Sequence, residues 1–176
     1  HGEDAVLNME PNAIILRPSV VFGPEDEFFN RFASLMSIAP VVPLFAGKTQ
    51  FQPVYVGDVV KAVAAAIEGK AEQGNIYELG GPEILTMRDI HQQIKKITGL
   101  NPALLPLPLW VANIIALATC FLPNLPITGD QIKLLRKPNI VSDEASEQHR
   151  TLAALSTEKP RSVRAIVQTY LDRFET

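Results

Sequence analysis

Cysteine is almost missing from this sequence: Cys120 is the only one in 176 residues. No internal disulfide can form, so a reducing compartment is expected, with Cys120 an inert thiol inside an apolar run. Histidine is scarce as well, and His1, His91 and His149 are too scattered to form a metal-ligand set with that cysteine. This spacing excludes structural zinc. Concentrated positive charge is also lacking. The chain carries 16 basic against 19 acidic side chains, a net charge of −3, and no basic block exceeds two residues. A protein that tracks a phosphate backbone needs a basic stripe, so nucleic acid is excluded as a partner. None of the GxSxG, HExxH or Walker patterns occurs. The opening HGEDAVLNM has neither a basic n-region nor a long apolar core, so it is not a signal or transit peptide, and it has no initiator methionine. It reads as the tail of an amphipathic helix, and the chain is expected to be a fragment.

What is present is ordinary globular composition, 47% hydrophobic and 20% charged, enough for one domain with a real core. Apolar runs at 13–16 and 20–22 suit strands buried on both faces, as in a parallel sheet. A helix is expected over 28–38, with Phe28, Phe32, Leu35 and Ile38 on one side and Pro40 and Pro43 as its stop. An extended segment follows at 49–56. Asp58 is expected to cap the next helix, whose Val59, Val63, Ala66 and Ile67 share a face. A short strand at 75–79 closes at Gly80-Gly81-Pro82. Thr86 and Asp89 then form a capping-box variant ahead of a helix bearing Ile90, Ile94 and Ile97.

Residues 100–128 change character. Prolines 102, 106, 108, 123 and 126 bracket the apolar stretch 109–122, LWVANIIALATCFL. Fourteen helical residues rise about 21 Å, short of the roughly 30 Å of a bilayer core. A fully buried helix is the simpler reading, and docking on a membrane surface or a partner protein is the sharper one. A short helix is expected at 129–137, with Ile132, Leu134 and Leu135 inward, then a polar loop at 138–150. Val163, Ile166, Val167, Tyr170, Leu171 and Phe174 mark a terminal helix. Strands separated by helices indicate an α/β architecture with at least part of a parallel sheet.

The chemistry-bearing residues are few. Gly80-Gly81-Pro82 follows a strand and precedes a helix, but it lacks the GxGxxG spacing, and its proline removes an amide that a phosphate loop needs. It reads as a tight turn. Glu25, Asp26 and Glu27 are placed to cap the 28–38 helix. Phe28 and Phe29 would be core or pocket wall, and Arg31, beside Asn30, either pairs with an anionic ligand or sits on the surface. Gln52 and Tyr55 lie at the carboxyl side of the expected sheet, where ligands bind in such folds. Tyr55 has no lysine four residues on, so it is not a reductase-type tyrosine–lysine pair.

LRPSVVFGPED, FQPVYVGDVV, YELGGPEILTMRDI and ITGDQIKLL, in this order, resemble the carboxyl-terminal half of the extended and atypical short-chain dehydrogenase/reductase superfamily. The resemblance is strongest to the branch holding the NAD(P)H-binding accessory subunit of respiratory complex I and its bacterial relatives, and covers residues 1–142. It implies a partial NAD(P)-binding Rossmann-like fold. Residues 1–58 would hold the last Rossmann-sheet strand and cleft loop, 59–142 substrate-domain-like helices and a strand, and 143–176 a loop and terminal helix. The family's glycine-rich loop and tyrosine–lysine pair would lie upstream. Pro18, Ser19, Val20 and Val21 would flank the nicotinamide of NADP or NAD, and Phe28, Phe29, Asn30, Arg31, Gln52 and Tyr55 would line the substrate cleft.

Departures from the pattern shape the functional expectation. Sugar-nucleotide epimerases read LRPTNVYGP, whereas this chain has Val20 in place of the asparagine and Phe22 in place of the tyrosine. A valine cannot supply the lost hydrogen bond. The resemblance therefore implies a non-catalytic, nucleotide-binding accessory protein, with respiratory-complex subunits or a membrane surface contacted through 104–127. A soluble NAD(P)-dependent nucleoside-diphosphate-sugar epimerase, dehydratase or reductase is the alternative. The expected location is the bacterial cytoplasm, peripheral on the inner membrane, or the mitochondrial matrix side in a eukaryote. The chain alone is expected to bind dinucleotide weakly or not at all and to self-associate.

Overall fold

The computed structural model describes residues 2–118, 135–156 and 158–174. Helix α1 (Gly2–Met9) leads into two short strands, β1 (Ile15–Pro18) and β2 (Val21–Phe22). Helix α2 (Phe28–Ile38) is followed by β3 (Val41–Phe45), β4 (Gln50–Phe51) and β5 (Val54–Tyr55). Next come α3 (Val56–Ile67), β6 (Ile76–Leu79), β7 (Leu85–Thr86) and α4 (Met87–Thr98). Strand β8 (Ala103–Leu107) and α5 (Leu109–Ala118) precede α6 (Asp143–Glu147), α7 (Leu152–Leu155) and α8 (Val163–Leu171).

The strands pair two by two. β1 runs parallel to β6 in the register Ile15↔Ile76 to Pro18↔Leu79, and β2 runs parallel to β5. β4 and β7 are antiparallel. This is the α/β class that the alternation of strand and helix predicts, with parallel pairs joined through helices.

One pairing was not legible in the pattern. Val41–Phe45 was read as the stop after α2, yet it pairs in parallel with Ala103–Leu107 over five residues. Both partners carry proline, Pro43 and Pro106. Among the described residues the pair has no third strand, so both are edge strands, where a missing amide is tolerated.

Helix faces differ from expectation in a consistent way. In α2 the buried positions are Phe29, Ala33 and Met36; Phe28, Phe32 and Leu35 pack half-buried against the core, and Ile38 is exposed. In α3 the buried set is Asp58, Ala62 and Ala65. Small side chains on that face let α3 approach α7 and β2 closely, which turns the larger Val56, Val60, Val63 and Ile67 outward. Asp58 is not the N-cap, a position held by Tyr55; it is buried in the first turn and accepts the Arg161 amide at 2.9 Å.

Other helix signals match. Thr86 and Asp89 form the capping box, each bonding the other's backbone amide, and Gly99 closes α4 in the left-handed conformation. Thr86, through its hydroxyl and its backbone amide, holds the Asp89 carboxyl below the usual range. Val163, Ile166, Val167, Tyr170 and Leu171 form the buried face of α8. Within the expected loop 138–150, Ser142 caps the short α6 by accepting the Ala145 amide. Ile132 and Leu134 of the helix expected at 129–137 lie outside the described residues.

Among the described residues two large apolar cores result, beside a small cluster of Phe45 and Ala112. One joins α2, α4 and α8 around Phe22, Phe29, Ile90, Ile94 and Leu171. The other joins β1, α3, β6 and α7 around Val54, Tyr77, Leu79 and Leu152. Val20 packs on the first and Val21 on the second, so the turn after β1 lies between them.

Candidate functional site

The carboxyl ends of β1 and β6 lie side by side, which in parallel sheets is the ligand-facing edge. Here a small depression of about 120 Å³ is lined by Arg17, Pro18, Ser19, Leu79, Asn139 and Val141, among others. It holds two of the four residues expected beside a nicotinamide. Val20 and Val21 turn into the two cores instead.

This edge is stitched together by residues 139–142, which the polar composition of 138–150 had marked as loop. The Asn139 amide donates to the Gln50 carbonyl at 2.9 Å, and the Gln52 amide donates back to the Asn139 carbonyl at 2.9 Å. Ser19 Oγ donates to the same carbonyl at 2.8 Å. The Ser142 amide donates to Glu78 Oε2 at 2.7 Å. The only signal in the sequence was the β-branched pair Ile140-Val141 amid polar neighbours.

Gln52 is the hub. Its Nε2 donates to the Gly81 carbonyl and its Oε1 accepts the Val141 amide, both at 2.9 Å. Its own carbonyl accepts the Gly81 amide at 3.2 Å. Gly80-Gly81 is thus a close-approach turn and not a phosphate cradle. A Cβ on Gly81 would lie 1.8 Å from the Pro53 carbonyl oxygen, and one on Gly80 would lie 2.5 Å from the Gln52 amide carbon. Only glycine lets these backbones meet.

The other expected cleft residues are equally committed. Phe29 has no exposed surface and is core; its ring meets Phe22 edge-on at 5.7 Å and Phe28 at 5.5 Å. Asn30 Nδ2 donates to the Pro24 and Asp26 carbonyls, and its Oδ1 accepts from Arg173 at 2.6 Å. Arg31 sits on the surface 3.8 Å from Glu27. Tyr55 stacks near Phe22, with the Arg161 guanidinium 5.9 Å from its ring centre.

Of the three adjacent acids, Asp26 does the capping. Its Oδ1 accepts the Phe29 amide at 2.6 Å, and its Oδ2 accepts the Gly23 amide and the Tyr170 hydroxyl. Burial, reinforced by the Asp26 carboxylate, raises the Tyr170 pKa well above the ordinary phenol value. At the far end, Arg17 holds Glu3 through two bonds of 2.8 and 3.0 Å, which lowers the Glu3 pKa, and lies 3.6 Å from Glu78.

These residues do not by themselves form a dinucleotide site. The depression is smaller than the roughly 300–1,000 Å³ of a small-molecule site, and no GxGxxG loop occurs in the 176 residues. No group of histidine, cysteine and carboxylate side chains suited to a metal occurs among the described residues.

Comparison with known proteins agrees with this geometry. Residues 4–80 match the NAD dependent epimerase/dehydratase family. The chain is 34% identical over 155 residues to the mitochondrial NADH dehydrogenase [ubiquinone] 1 alpha subcomplex subunit 9 of Arabidopsis thaliana, covering 82% of this chain and 39% of that protein. It is 37% identical over 111 residues to the subunit of the same name from Mus musculus, covering 62% of this chain and 29% of that protein. The chain therefore spans well under half the length of these relatives. In fold it resembles the crystal structure of UDP-glucuronic acid 4-epimerase from Bacillus cereus in complex with UDP-glucuronic acid and NAD. The TM-score is 0.63 at 19% identity, covering 97% of this chain and 48% of that one. The architecture is thus Rossmann-like, and residues 4–80 are similar to the NAD dependent epimerase/dehydratase family.

Proposed function

We propose that this chain is part of an NAD(P)H-binding accessory protein of the respiratory NADH:quinone oxidoreductase type, and that the protein is non-catalytic. One observation carries the reading. Val20 contributes only packing, Gln52 and Asn30 have both side-chain amide atoms hydrogen-bonded within the chain, and Phe29 is sealed in the core. A substrate cleft needs polar groups that are free to meet substrate, and Gln52 and Asn30 are committed to partners within the chain. The likeness to the alpha subcomplex subunit 9 proteins supports the same reading.

In this proposal Pro18 and Ser19 form a rim at the nicotinamide end of NADP or NAD, with Val20 and Val21 as its apolar backing. Residues 1–58 supply that rim, 59–142 the substrate-domain-like part, and 143–176 the closing segment. The chain alone binds dinucleotide weakly or not at all, because the pyrophosphate loop is not among its residues. Calorimetric titration of NADPH into the isolated chain should give no micromolar binding.

Contact with other subunits or with a membrane surface is assigned to 104–127, of which 119–127 lie outside the described residues. The fully buried helix expected there is not what α5 presents: Trp110 is 63% and Ile114 56% exposed. No helix among the described residues is long and apolar enough to cross a membrane, so the proposed association is peripheral, on the cytoplasmic or matrix side. Self-association of the isolated chain follows from the outward valines of α3 and the free edge of β1. A clean monomer in light scattering would count against it.

The second reading, a soluble nucleoside-diphosphate-sugar epimerase, dehydratase or reductase, is favoured by the family match of residues 4–80. Native electrophoresis of membranes from the source organism separates the two. The full-length protein should co-migrate with NADH:quinone oxidoreductase activity; migration only as a free soluble species would contradict the accessory reading.

A further inference from the structure

An open groove of about 700 Å³ lies away from the β1–β6 edge. Three cations from three separate segments line it: Lys48 after β3, Arg88 in the first turn of α4, and Arg136. Backbone geometry brings them together. The Met87 and Arg88 amides donate to the Thr49 and Gly47 carbonyls at 3.0 and 3.2 Å, which sets α4 against the turn carrying Lys48. Thr49 Oγ1 donates to the Leu135 carbonyl at 2.9 Å, which draws the Arg136 backbone across the same turn.

Among the described residues no carboxylate forms an ion pair with any of the three, and none lines the groove. Asp89, the nearest acid in sequence, is held by Thr86. Arg88 also feels the Asp89 carboxylate beside it in sequence, so Lys48 and Arg136 are the less compensated charges, and together the three favour an anion.

The rest of the groove selects the kind of anion. Its floor is aliphatic, from Leu44, Leu107, Leu109 and Leu135, with Pro106 and Pro108. Among the described residues no aromatic ring lines it. The elements that form the floor also carry exposed apolar side chains: Leu105 on β8, and Trp110 and Ile114, one helical turn apart, on α5. A phosphate on the cations with hydrocarbon running over leucine and tryptophan is the chemistry of an anionic phospholipid at a membrane interface.

We propose that this groove binds the headgroup of an anionic phospholipid and thereby seats β8 and α5 on the bilayer surface. The inference rests on the membrane-surface reading above and names its lipid class.

Vesicle co-sedimentation of the full-length protein tests it, using phosphatidylcholine vesicles with and without 20% phosphatidylglycerol. Wild type should prefer the anionic vesicles. The combined Lys48→Ser, Arg88→Ser and Arg136→Ser variant should lose about 5-fold per cation, on the order of 100-fold together, toward anionic vesicles only. A control that removes the same charge from exposed positions elsewhere, Lys96→Ser with Lys159→Ser and Arg164→Ser, should lose far less. Melting temperatures confirm that both variants fold.

Equal losses in the two triple variants would overturn the groove as the site. Equal binding of wild type to neutral and anionic vesicles would overturn the headgroup proposal and leave membrane association standing. Loss of all vesicle binding in Trp110→Ser/Ile114→Ser with the cation variant unaffected would do the same. No binding of wild type to either vesicle would overturn both. Displacement from anionic vesicles by uridine diphosphate, with no effect of glycerol phosphate at the same concentration, would mark a nucleotide site and also overturn the proposal.

Discussion

Two regions of this molecule treat their polar groups in opposite ways. Around the expected cleft, Gln52 bridges Gly81 and Val141, Asn30 bridges α2 to Arg173, and Asp26 ties Gly23, Phe29 and Tyr170 together. In the groove between the turn at Lys48, the start of α4 and β8, the three cations form no ion pair among the described residues, and Trp110 and Ile114 are exposed. A surface that is closed onto itself serves stability, and one left open serves an encounter. In the proposed reading, the encounter falls on the β8–α5 face and not on the cleft.

Substitutions should separate the two regions by what they change. The largest effect is expected at Gly81→Ala, where a Cβ would stand 1.8 Å from the Pro53 carbonyl oxygen. That conflict is backbone against backbone and should destabilise the fold by about 4 kcal/mol or prevent folding, read by urea denaturation. Gln52→Leu leaves the Val141 amide and the Gly81 carbonyl without their partner. It should cost about 2–3 kcal/mol by the same measurement.

Thr86→Ala breaks the capping box and should cost about 1 kcal/mol at neutral pH. Because the folded Asp89 pKa is depressed, its contribution is present above the unfolded carboxylate value near 4 and fades as pH falls. The gap between wild type and Thr86→Ala should therefore narrow as pH falls below the carboxylate range without closing, because Thr86 Oγ1 still accepts the Asp89 amide at 3.1 Å. On the open side, Trp110→Ser should change stability by less than about 0.5 kcal/mol, since the ring is largely exposed. The same variant should weaken vesicle binding. A large stability loss there, or none at Gly81, would dissolve the contrast.

Much of the fold was legible because the signals were local. The capping box at Thr86 and Asp89, the five-residue apolar face of α8 and the short strands near 13–16 and 75–79 follow from spacing alone. What was missed depends on distant partners. Val41–Phe45 and Ala103–Leu107 each carry a proline and look like breaks until they are set beside one another. The Ala62 and Ala65 face of α3 is buried because α7 comes close, a contact that helical periodicity cannot show. In the candidate site, the motif residues were found from the sequence but not what holds them. Gln52 reads as a pocket side chain until Val141, 89 positions on, occupies its oxygen.

The central claim is that the cleft of this family segment is closed to substrate. It is tested most directly by turnover assays on the full-length protein with NADH or NADPH against a panel of nucleoside-diphosphate sugars. Dinucleotide binding with no product above background is predicted; robust epimerisation, dehydration or reduction of any nucleotide sugar would contradict it.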